Sequence, residues 1–200
     1  MIADRDYPAL VRAWVQDPRL VLLDTETTGL REDDEILEVA AVAGDGTVLV
    51  DTYVKPARKA AWPEAQAVNG ISPAMVATAP GWGQVWPGLA EALTGKLLVI
   101  YNADYDLRML AQASAAAGVA HSEPWAGTGC AMLAGAVFVG DWRDDRQSWR
   151  WQKLGALAQR LGLPATPHRA LGDTLGTLAI LRELAAREWW IERETQEARP

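Results

Sequence analysis

The order of short strand-like runs and longer helical runs limits this chain to an α/β fold. A first apolar run, Leu20–Leu23, is typical of a buried strand. Two more strand-like stretches follow at Ile36–Ala43 and Thr47–Val54, and Asp45-Gly46 between them is a tight-turn signal. We therefore predict an antiparallel meander, followed by alternating strands and helices. The other predicted elements are strands at Leu97–Ile100 and near Thr128–Met132, helices at Pro8–Gln16, Val85–Leu93, about Asp104 to Gly118, Leu154–Leu161 and about Ala170 to Ile191, and short helices between Pro56 and Gly83.

Length and composition favour one globular domain. The 200 residues are half apolar, and these residues are spread evenly. No apolar run approaches the about 20 residues that a membrane helix needs, and the charged N-terminus does not match a signal peptide. Cys130 is the only cysteine, which favours a reducing, cytoplasmic setting. We expect a single domain over 1–200, with its core at about 18–190 and a frayed polar tail at 193–200.

The negative charge narrows the ways in which this chain could bind a nucleic acid. A formal net charge of −7 argues against broad coating of phosphates, because proteins that do so are usually basic. It argues less against an enzyme that grips one strand end through metal ions, since an acidic cluster becomes electropositive once cations bind.

Two acidic residues follow the first predicted strand directly. Asp24 and Glu26 are two positions apart, so on a strand both side chains point to the same face. Adjacent carboxylates repel unless a cation lies between them. A solvated strand end with a helix cap would carry the same residues, and the pair alone does not separate the two interpretations.

Two further acids lie on apolar helix faces. Asp106 and Asp173 each begin a predicted buried stripe, where a carboxylate is costly unless it is paired or bound to metal. Asp104 points toward solvent and is better explained as an acid of the first helical turn. The stripes are Met109, Leu110, Ala113 and Ala117 after Asp106, and Thr177, Ile180 and Leu184 after Asp173.

The four acids together predict a metal site. Mg²⁺ takes oxygen ligands, and two ions about 4 Å apart can clamp the attacking and leaving oxygens of a phosphodiester displacement. His168 lies five residues before Asp173. A lone histidine is more often structural, but one beside these acids suits a general base because the unperturbed pKa of histidine is about 6.5.

Three motifs, in this order, resemble those of the DEDDh (DnaQ-like) 3′→5′ exonuclease superfamily, which includes the proofreading (epsilon) subunit family of bacterial polymerase III. The resemblance implies a ribonuclease H-like mixed sheet flanked by helices. The histidine five residues before the last aspartate marks the DEDDh subgroup, whereas the sister subgroup has a tyrosine at the position of Arg169. The motifs are Leu22-Leu23-Asp24-Thr25-Glu26-Thr27-Thr28-Gly29-Leu30, Tyr101-Asn102-Ala103-Asp104-Tyr105-Asp106-Leu107-Arg108-Met109-Leu110 and His168-Arg169-Ala170-Leu171-Gly172-Asp173.

The resemblance also implies roles for individual residues. It implies two divalent cations, Mg²⁺ or Mn²⁺, and a general base at His168. Thr27 and Leu30 match positions that hold the terminal nucleotide and wedge beside its base, and Asn102 is a further predicted substrate-binding residue. Tyr101 and Tyr105 depart from the commoner histidine and phenylalanine but keep an aromatic ring. The implied metal carboxylates are Asp24, Glu26, Asp106 and Asp173.

These observations predict a two-metal-ion 3′→5′ exonuclease. It would release nucleoside 5′-monophosphates from DNA 3′ ends, preferably single-stranded, in repair or proofreading. The alternatives are an exoribonuclease with the same chemistry, or a catalytically silent module that binds strand ends or docks on a polymerase. A polymerase or repair partner and a homodimer are further expectations, and the missing long tail of the epsilon subunit argues against tight polymerase attachment.

Tryptophan is abundant, with 10 residues in the chain. The segment 141–153 mixes tryptophan with arginine, a combination that can stack bases and pair phosphates. We favour instead a loop whose tryptophans pack on the domain, because aspartates dilute its charge. Trp189-Trp190 is expected to cover the core or a dimer contact.

Overall fold

The computed structural model describes residues 3–192. The predicted frayed tail at 193–200 lies outside the described residues. The strands are β1 (Leu20–Thr27), β2 (Ile36–Ala43), β3 (Val48–Tyr53), β4 (Leu97–Ile100), β5 (Gly127–Cys130), β6 (Trp142–Arg143) and β7 (Ser148–Trp149). The α-helices are α1 (Tyr7–Gln16), α2 (Pro63–Asn69), α3 (Pro73–Val76), α4 (Trp82–Leu93), α5 (Ala103–Ala116), α6 (Ala131–Val139), α7 (Leu154–Leu161) and α8 (Ala170–Ala186), preceded by a 3₁₀ turn at Asp4–Asp6.

The main sheet is mixed and has the order β3-β2-β1-β4-β5. The first three strands form the predicted antiparallel meander, while β4 and β5 run parallel to β1. The last residue of β4, Ile100, pairs with Leu23 of β1. Strand β1 therefore extends beyond its parallel neighbour, and its last residues have no strand beside them on that edge.

Alternation along β1 divides the apolar core between the two faces of the sheet. Leu20 and Leu22 pack in the cluster built with α1, α6, α7 and α8, whereas Val21 and Leu23 pack in the cluster built with α4 and α5. Side chains two positions apart share a face. Residues 24 and 26 therefore lie on the face of the sheet that α8 covers, and residue 25 lies on the face that α5 covers.

Three local predictions were incomplete or wrong. The strand expected near Thr128–Met132 ends at Cys130, and helix α6 begins at the next residue. This helix was missed because its sequence is apolar all round and shows no amphipathic stripe; six of its nine residues are buried. Helix α8 ends at Ala186 rather than near Ile191.

The tryptophan-rich segment forms a short hairpin, β6–β7, that the sequence did not predict. Trp142 and Trp149 pair across it with ring centroids 4.9 Å apart, and Trp149 also contacts Trp190 at 5.4 Å. Trp189 is fully buried in the core. The expectation that these side chains pack on the domain is therefore confirmed for Trp149 and Trp189, while Trp151 is exposed. Within 3–192, no helix is long and apolar enough to cross a membrane.

Candidate active site

Three of the predicted acids meet at the end of strand β1. Asp24 and Glu26 lie on the face that α8 covers, and Asp173 lies in the first turn of that helix. One carboxylate oxygen from each of the three lies within 4.8 Å of the other two. The sheet and one helix N-terminus thus bring together residues that are almost 150 positions apart.

Asp106, the fourth predicted acid, approaches from the opposite layer. It lies in the first turn of α5, and its Oδ1 accepts hydrogen bonds from the Thr25 backbone N–H at 3.0 Å and the Thr25 hydroxyl at 2.7 Å. That N–H is free for this contact because β4 ends opposite Leu23. Asp106 is therefore beside the three-residue cluster and is not part of the 4.8 Å group found within 3–192.

Burial raises the pKa values of all four acids, and repulsion from neighbouring carboxylates adds to the shift for Asp24 and Glu26. Burial, followed by repulsion from Asp106 and Glu26, raises the pKa of Asp24 well above its usual value. Burial also raises the pKa of Glu26 to about 7, although a hydrogen bond from Asn69 opposes the shift. Burial raises the pKa of Asp106 despite the two bonds from Thr25, and burial raises the pKa of Asp173 as well. The ionised form of each of these acids is therefore destabilised in the folded protein.

The donor set fits hard divalent cations. Across the described residues 3–192, no lysine or arginine forms an ion pair with any of the four acids. The Oδ1 atom of Asp173 is buried and has no hydrogen-bond partner there. Such an unpartnered buried oxygen is costly unless a ligand satisfies it, and carboxylate oxygens are the ligands that Mg²⁺ and Mn²⁺ prefer.

His168 lies on the loop just before α8. Its side chain is 61% exposed, and its Nδ1 is 3.9 Å from Asp173 Oδ2. Its backbone has a φ of 52°, in the left-handed region that residues other than glycine rarely adopt. Strained backbone of this kind is often found at functional sites. The histidine is at the edge of the acidic cluster with its ring open to solvent.

A cavity of about 730 Å³ opens next to Glu26. Two of the side chains that line it, Leu30 and Val68, are large, apolar and exposed, at 78% and 63%. Thr27 also lines it, but Asn102 is not among its lining residues and its side chain is exposed. The cavity is lined by Thr25, Glu26, Thr27, Thr28, Gly29, Leu30, Arg31, Asp34, Lys59, Trp62, Pro63, Glu64, Ala65, Val68, Asn69 and Tyr105.

The loop that presents Leu30 is held firmly. The side chain of Asp34 accepts the Thr28 hydroxyl at 2.7 Å and the Arg31 N–H at 2.8 Å, and the Asp34 carbonyl accepts Gln112 Nε2 at 2.6 Å. A Cβ at Gly29 would lie 2.5 Å from Asp34 Oδ2, so only glycine fits there. Leu30 is therefore an exposed apolar side chain on a well-anchored loop.

Two residues of this region were missed by sequence reasoning. Asn69 is not among the predicted site residues, yet it is buried, bonds the carboxylate of Glu26, and donates to the Thr27 carbonyl at 3.3 Å. Tyr105 was noted as a tolerated departure, yet its hydroxyl lies 2.6 Å from Thr27 Oγ1 and 2.9 Å from the Gly29 carbonyl. Both residues form hydrogen bonds with residues that are distant in sequence, which a local sequence pattern does not reveal.

Comparison with known proteins identifies the family. The RNase_T family model, described as Exonuclease, matches residues 21–181, which is more than half of the chain. The chain belongs to this exonuclease family. An uncharacterized exonuclease of Escherichia phage 186, CP81, is 34% identical over 183 residues, covering 87% of this chain and 91% of that protein. A DNA polymerase III subunit epsilon-like protein of Rhodobacter capsulatus is 38% identical over 181 residues, but these cover only 24% of its length.

Solved structures agree with this family assignment. Exonuclease X in complex with 5′ overhanging duplex DNA is 28% identical, with a TM-score of 0.57 over 82% of this chain and 89% of that one. The nuclease domain of 3′hExo, a DEDDh family member bound to rAMP, has a TM-score of 0.61 over 82% of this exonuclease and 90% of that domain; at 17% identity it shows the fold alone. The chain is thus a DEDDh-type exonuclease and hydrolytic nuclease with a ribonuclease H-like fold. Its family uses divalent metal ions.

Proposed function

We propose that this exonuclease removes nucleoside 5′-monophosphates from the 3′ end of DNA, preferably single-stranded DNA, in repair or proofreading. One observation carries the proposal. The clustered oxygens of Asp24, Glu26 and Asp173, with an unpartnered buried Oδ1 on Asp173, lie beside a cavity of about 730 Å³. A cation site next to a nucleotide-sized cavity is what end-by-end phosphodiester hydrolysis requires.

The metal-binding residues of the proposal are the four motif acids. Asp24, Glu26 and Asp173 would hold the cations, and Asp106 would support them from the α5 side. When bound, two Mg²⁺ or Mn²⁺ ions would neutralise the carboxylates and stabilise the charge that develops on the phosphodiester oxygens. Without a counterion in reach, the carboxylates themselves repel both each other and a phosphate.

His168 is proposed as the general base. Its ring lies at the edge of the acidic cluster, with Nδ1 3.9 Å from Asp173 Oδ2, where a neutral imidazole could take a proton from the attacking water. The exposed ring is accessible to a bound strand end.

The proposed nucleotide site is the cavity beside Glu26. Leu30 and Val68 would contact the terminal base, because both are exposed apolar side chains on its wall. Thr27 would contact the terminal sugar, with its hydroxyl oriented by Tyr105. Asn102 is proposed as a further substrate contact near the start of α5.

DNA is favoured over RNA as the substrate because several similar proteins act with DNA or belong to DNA polymerases, as their names state. Exonuclease X was solved with duplex DNA, and several relatives are DNA polymerase III proteins. RNA is the second candidate because sugar discrimination depends on pocket shape around the 2′ position. A catalytically silent module is disfavoured because all four acids and His168 are present.

A cleavage assay on strands labelled at the 5′ end tests this proposal. Single-stranded DNA, the same sequence as RNA, and a duplex with a 5′ overhang are compared with Mg²⁺, with Mn²⁺ and with EDTA. We expect a ladder that shortens from the 3′ end of DNA, dependence on the added cation, and resistance of a strand with a 3′-terminal phosphate. Early release of the labelled 5′ nucleotide would contradict the proposed 3′→5′ polarity. Faster degradation of RNA than of DNA would show that RNA is the preferred substrate.

A further inference from the structure

A further acid beside the cluster, Glu38, is buried and lies directly opposite Glu26 on the neighbouring strand. The two residues are cross-strand partners in the β1–β2 pair, and Glu38 is only 3% exposed. Like charges directly opposite each other on a sheet are destabilising. Glu38 nevertheless is not a spare metal ligand, because both of its carboxylate oxygens already have partners.

The main partner of Glu38 is Arg169. The guanidinium forms a bidentate pair, with Nη2 donating to Oε1 and Nε donating to Oε2 at 3.0 Å. Nη2 also donates to the Tyr53 hydroxyl at 2.6 Å, and the guanidinium carbon lies 5.2 Å from the centre of the Tyr53 ring. Arginine matches a carboxylate in this fork geometry in a way that lysine does not.

This pair fixes the chain on either side of Arg169. Glu38 Oε2 also accepts the Ala170 N–H at 2.9 Å, so a side chain from β2 caps the first turn of α8. The Arg169 carbonyl in turn accepts the N–H of Asp173 at 2.9 Å. His168 precedes Arg169 directly, while the residues from 163 to 167 before it belong to no helix or strand. Thr166 and Pro167 of this segment contact α8, whereas Arg169 contacts the sheet, so the contact with the sheet that lies next to His168 is the Arg169 pair.

We propose that Glu38 and Arg169 act as a positioning pair for the proposed general base. They hold the end of the loop that carries His168, in its left-handed backbone conformation, against the same sheet that carries Asp24 and Glu26. This role requires neither residue to contact the nucleic acid or the cations. This inference rests on the proposed function, because it acts through His168.

Kinetics of Arg169 variants test the pair. Arg169→Gln removes the fork, Arg169→Lys keeps the charge without it, and Tyr53→Phe removes only the hydroxyl contact. At saturating substrate and cation, Arg169→Gln is expected to lower kcat by about 10- to 100-fold, which is the effect of misplacing a catalytic group by about 1 Å. KM should stay within about threefold, because the substrate contacts are elsewhere. Arg169→Lys should recover part of the loss, and Tyr53→Phe should cost least.

A matched ion pair far from the site controls for stability. Arg12 forms a comparable bidentate pair with Glu192, at 2.6 and 2.9 Å, between α1 and the end of the described chain. Arg12→Gln should lower the melting temperature but leave kcat per folded molecule unchanged. If Arg169→Gln behaves in the same way as Arg12→Gln, the pair is only structural and the proposal is wrong. Should Arg169→Gln not fold, Arg169→Lys and Glu38→Gln replace it under the same criterion.

The same substitution in a His168→Ala background shows whether the pair acts through the histidine. Arg169→Gln should then cause no further loss of rate, whereas an equal loss in both backgrounds would overturn the proposal.

Failure of the proposed exonuclease function would give different results. In that case the wild type does not cleave, or His168→Ala cleaves normally. If the wild type cleaves, His168→Ala is slow and Arg169→Gln is normal, only the positioning role fails.

Discussion

Two groups of acids that are close in sequence have opposite environments. Glu35 is buried, and its carboxylate accepts the backbone N–H groups of Ala57, Arg58 and Lys59 at 2.7 to 3.3 Å. Asp24 and Glu26, about ten residues earlier, face other carboxylates and no cationic side chain within the described part of the chain. Glu35 is buried and Asp24 and Glu26 are half-buried, so the main difference between the two groups is the supply of hydrogen-bond donors and cationic side chains.

The pKa values express this difference. Burial alone would raise the pKa of Asp34, but the Arg31 N–H and Lys59 more than offset it, so that the pKa falls below its usual value. In the acidic cluster the hydrogen bond from Asn69 does not offset burial and repulsion, and the pKa of Glu26 rises to about 7. Acids of the first kind stabilise a fold, whereas acids of the second kind destabilise it until a cation arrives. The contrast separates acids that stabilise the fold from the acids that are proposed to bind metal ions.

Removal of a cluster acid should have the largest effect on activity and little effect on folding. Asp24→Asn and Asp173→Asn are expected to reduce cleavage to the assay background with either cation. Without metal, their melting temperatures should equal or exceed that of the wild type, because each change removes an unpaired charge. Cleavage rates and thermal unfolding in EDTA measure the two effects, and near-normal cleavage by both variants would show that the site is misassigned.

Substitution of the histidine should have the next largest effect. His168→Ala is expected to lose roughly 10²–10⁴-fold in single-turnover rate, the usual size of a general-base contribution. Stabilisation by Mn²⁺ should persist, since His168 is not a proposed ligand. The other histidine in the chain, His121, packs on Trp86 with ring centroids 5.1 Å apart and serves as the control. His121→Ala should unfold earlier and cleave normally, and the same behaviour in His168→Ala would refute its catalytic role.

Glu35→Gln should show the reverse pattern to the cluster variants. The amide cannot accept the three backbone N–H groups as the carboxylate does, and each bond to a charged group contributes about 1.5–3 kcal/mol. We expect the free energy of unfolding to fall by about 2–3 kcal/mol, with kcat per folded molecule unchanged. Urea unfolding and active-site-normalised kinetics give both values. A large loss of kcat with unchanged stability would place Glu35 among the functional acids.

The smallest expected effect is a metal-dependent change of stability with pH. A carboxyl whose pKa is raised in the folded state binds its proton more tightly there, so its contribution is complete below the unfolded pKa. That contribution is lost as pH rises through the folded pKa, which is about 7 for Glu26. In EDTA the protein should therefore be less stable at about pH 8 than at about pH 6. Added Mn²⁺ should remove or reverse the difference, because cation binding strengthens as protons leave.

Calorimetry or urea titration at the two pH values checks this expectation. The double variant Asp24→Asn, Glu26→Gln is the control, and its stability should vary less over the same pH range. Equal stability of the wild type at both pH values in EDTA would show that the cluster does not carry unrelieved charge.

Local patterns in the sequence determined the meander and the α/β class. The Asp45-Gly46 turn, the strand β1 and the inward acids on α5 and α8 all lie where short-range alternation or helical spacing predicts them. Helix α6 and the β6–β7 hairpin could not be predicted in this way. A helix that is apolar on all sides has no amphipathic period, and two-residue strands have no alternation to detect.

The candidate site likewise has features that the sequence determines and features that only the tertiary structure determines. The sequence by itself determined which residue types are present and which faces they occupy, since Asp24, Glu26, Asp106 and Asp173 follow from strand parity and helix stripes. Only the tertiary structure decided their partners. The Asp106 carboxylate accepts the Thr25 N–H, which lies beyond the end of β4, and the Glu38 carboxylate pairs with Arg169. These contacts join residues more than 80 positions apart, and a local pattern carries no information about which distant groups will meet.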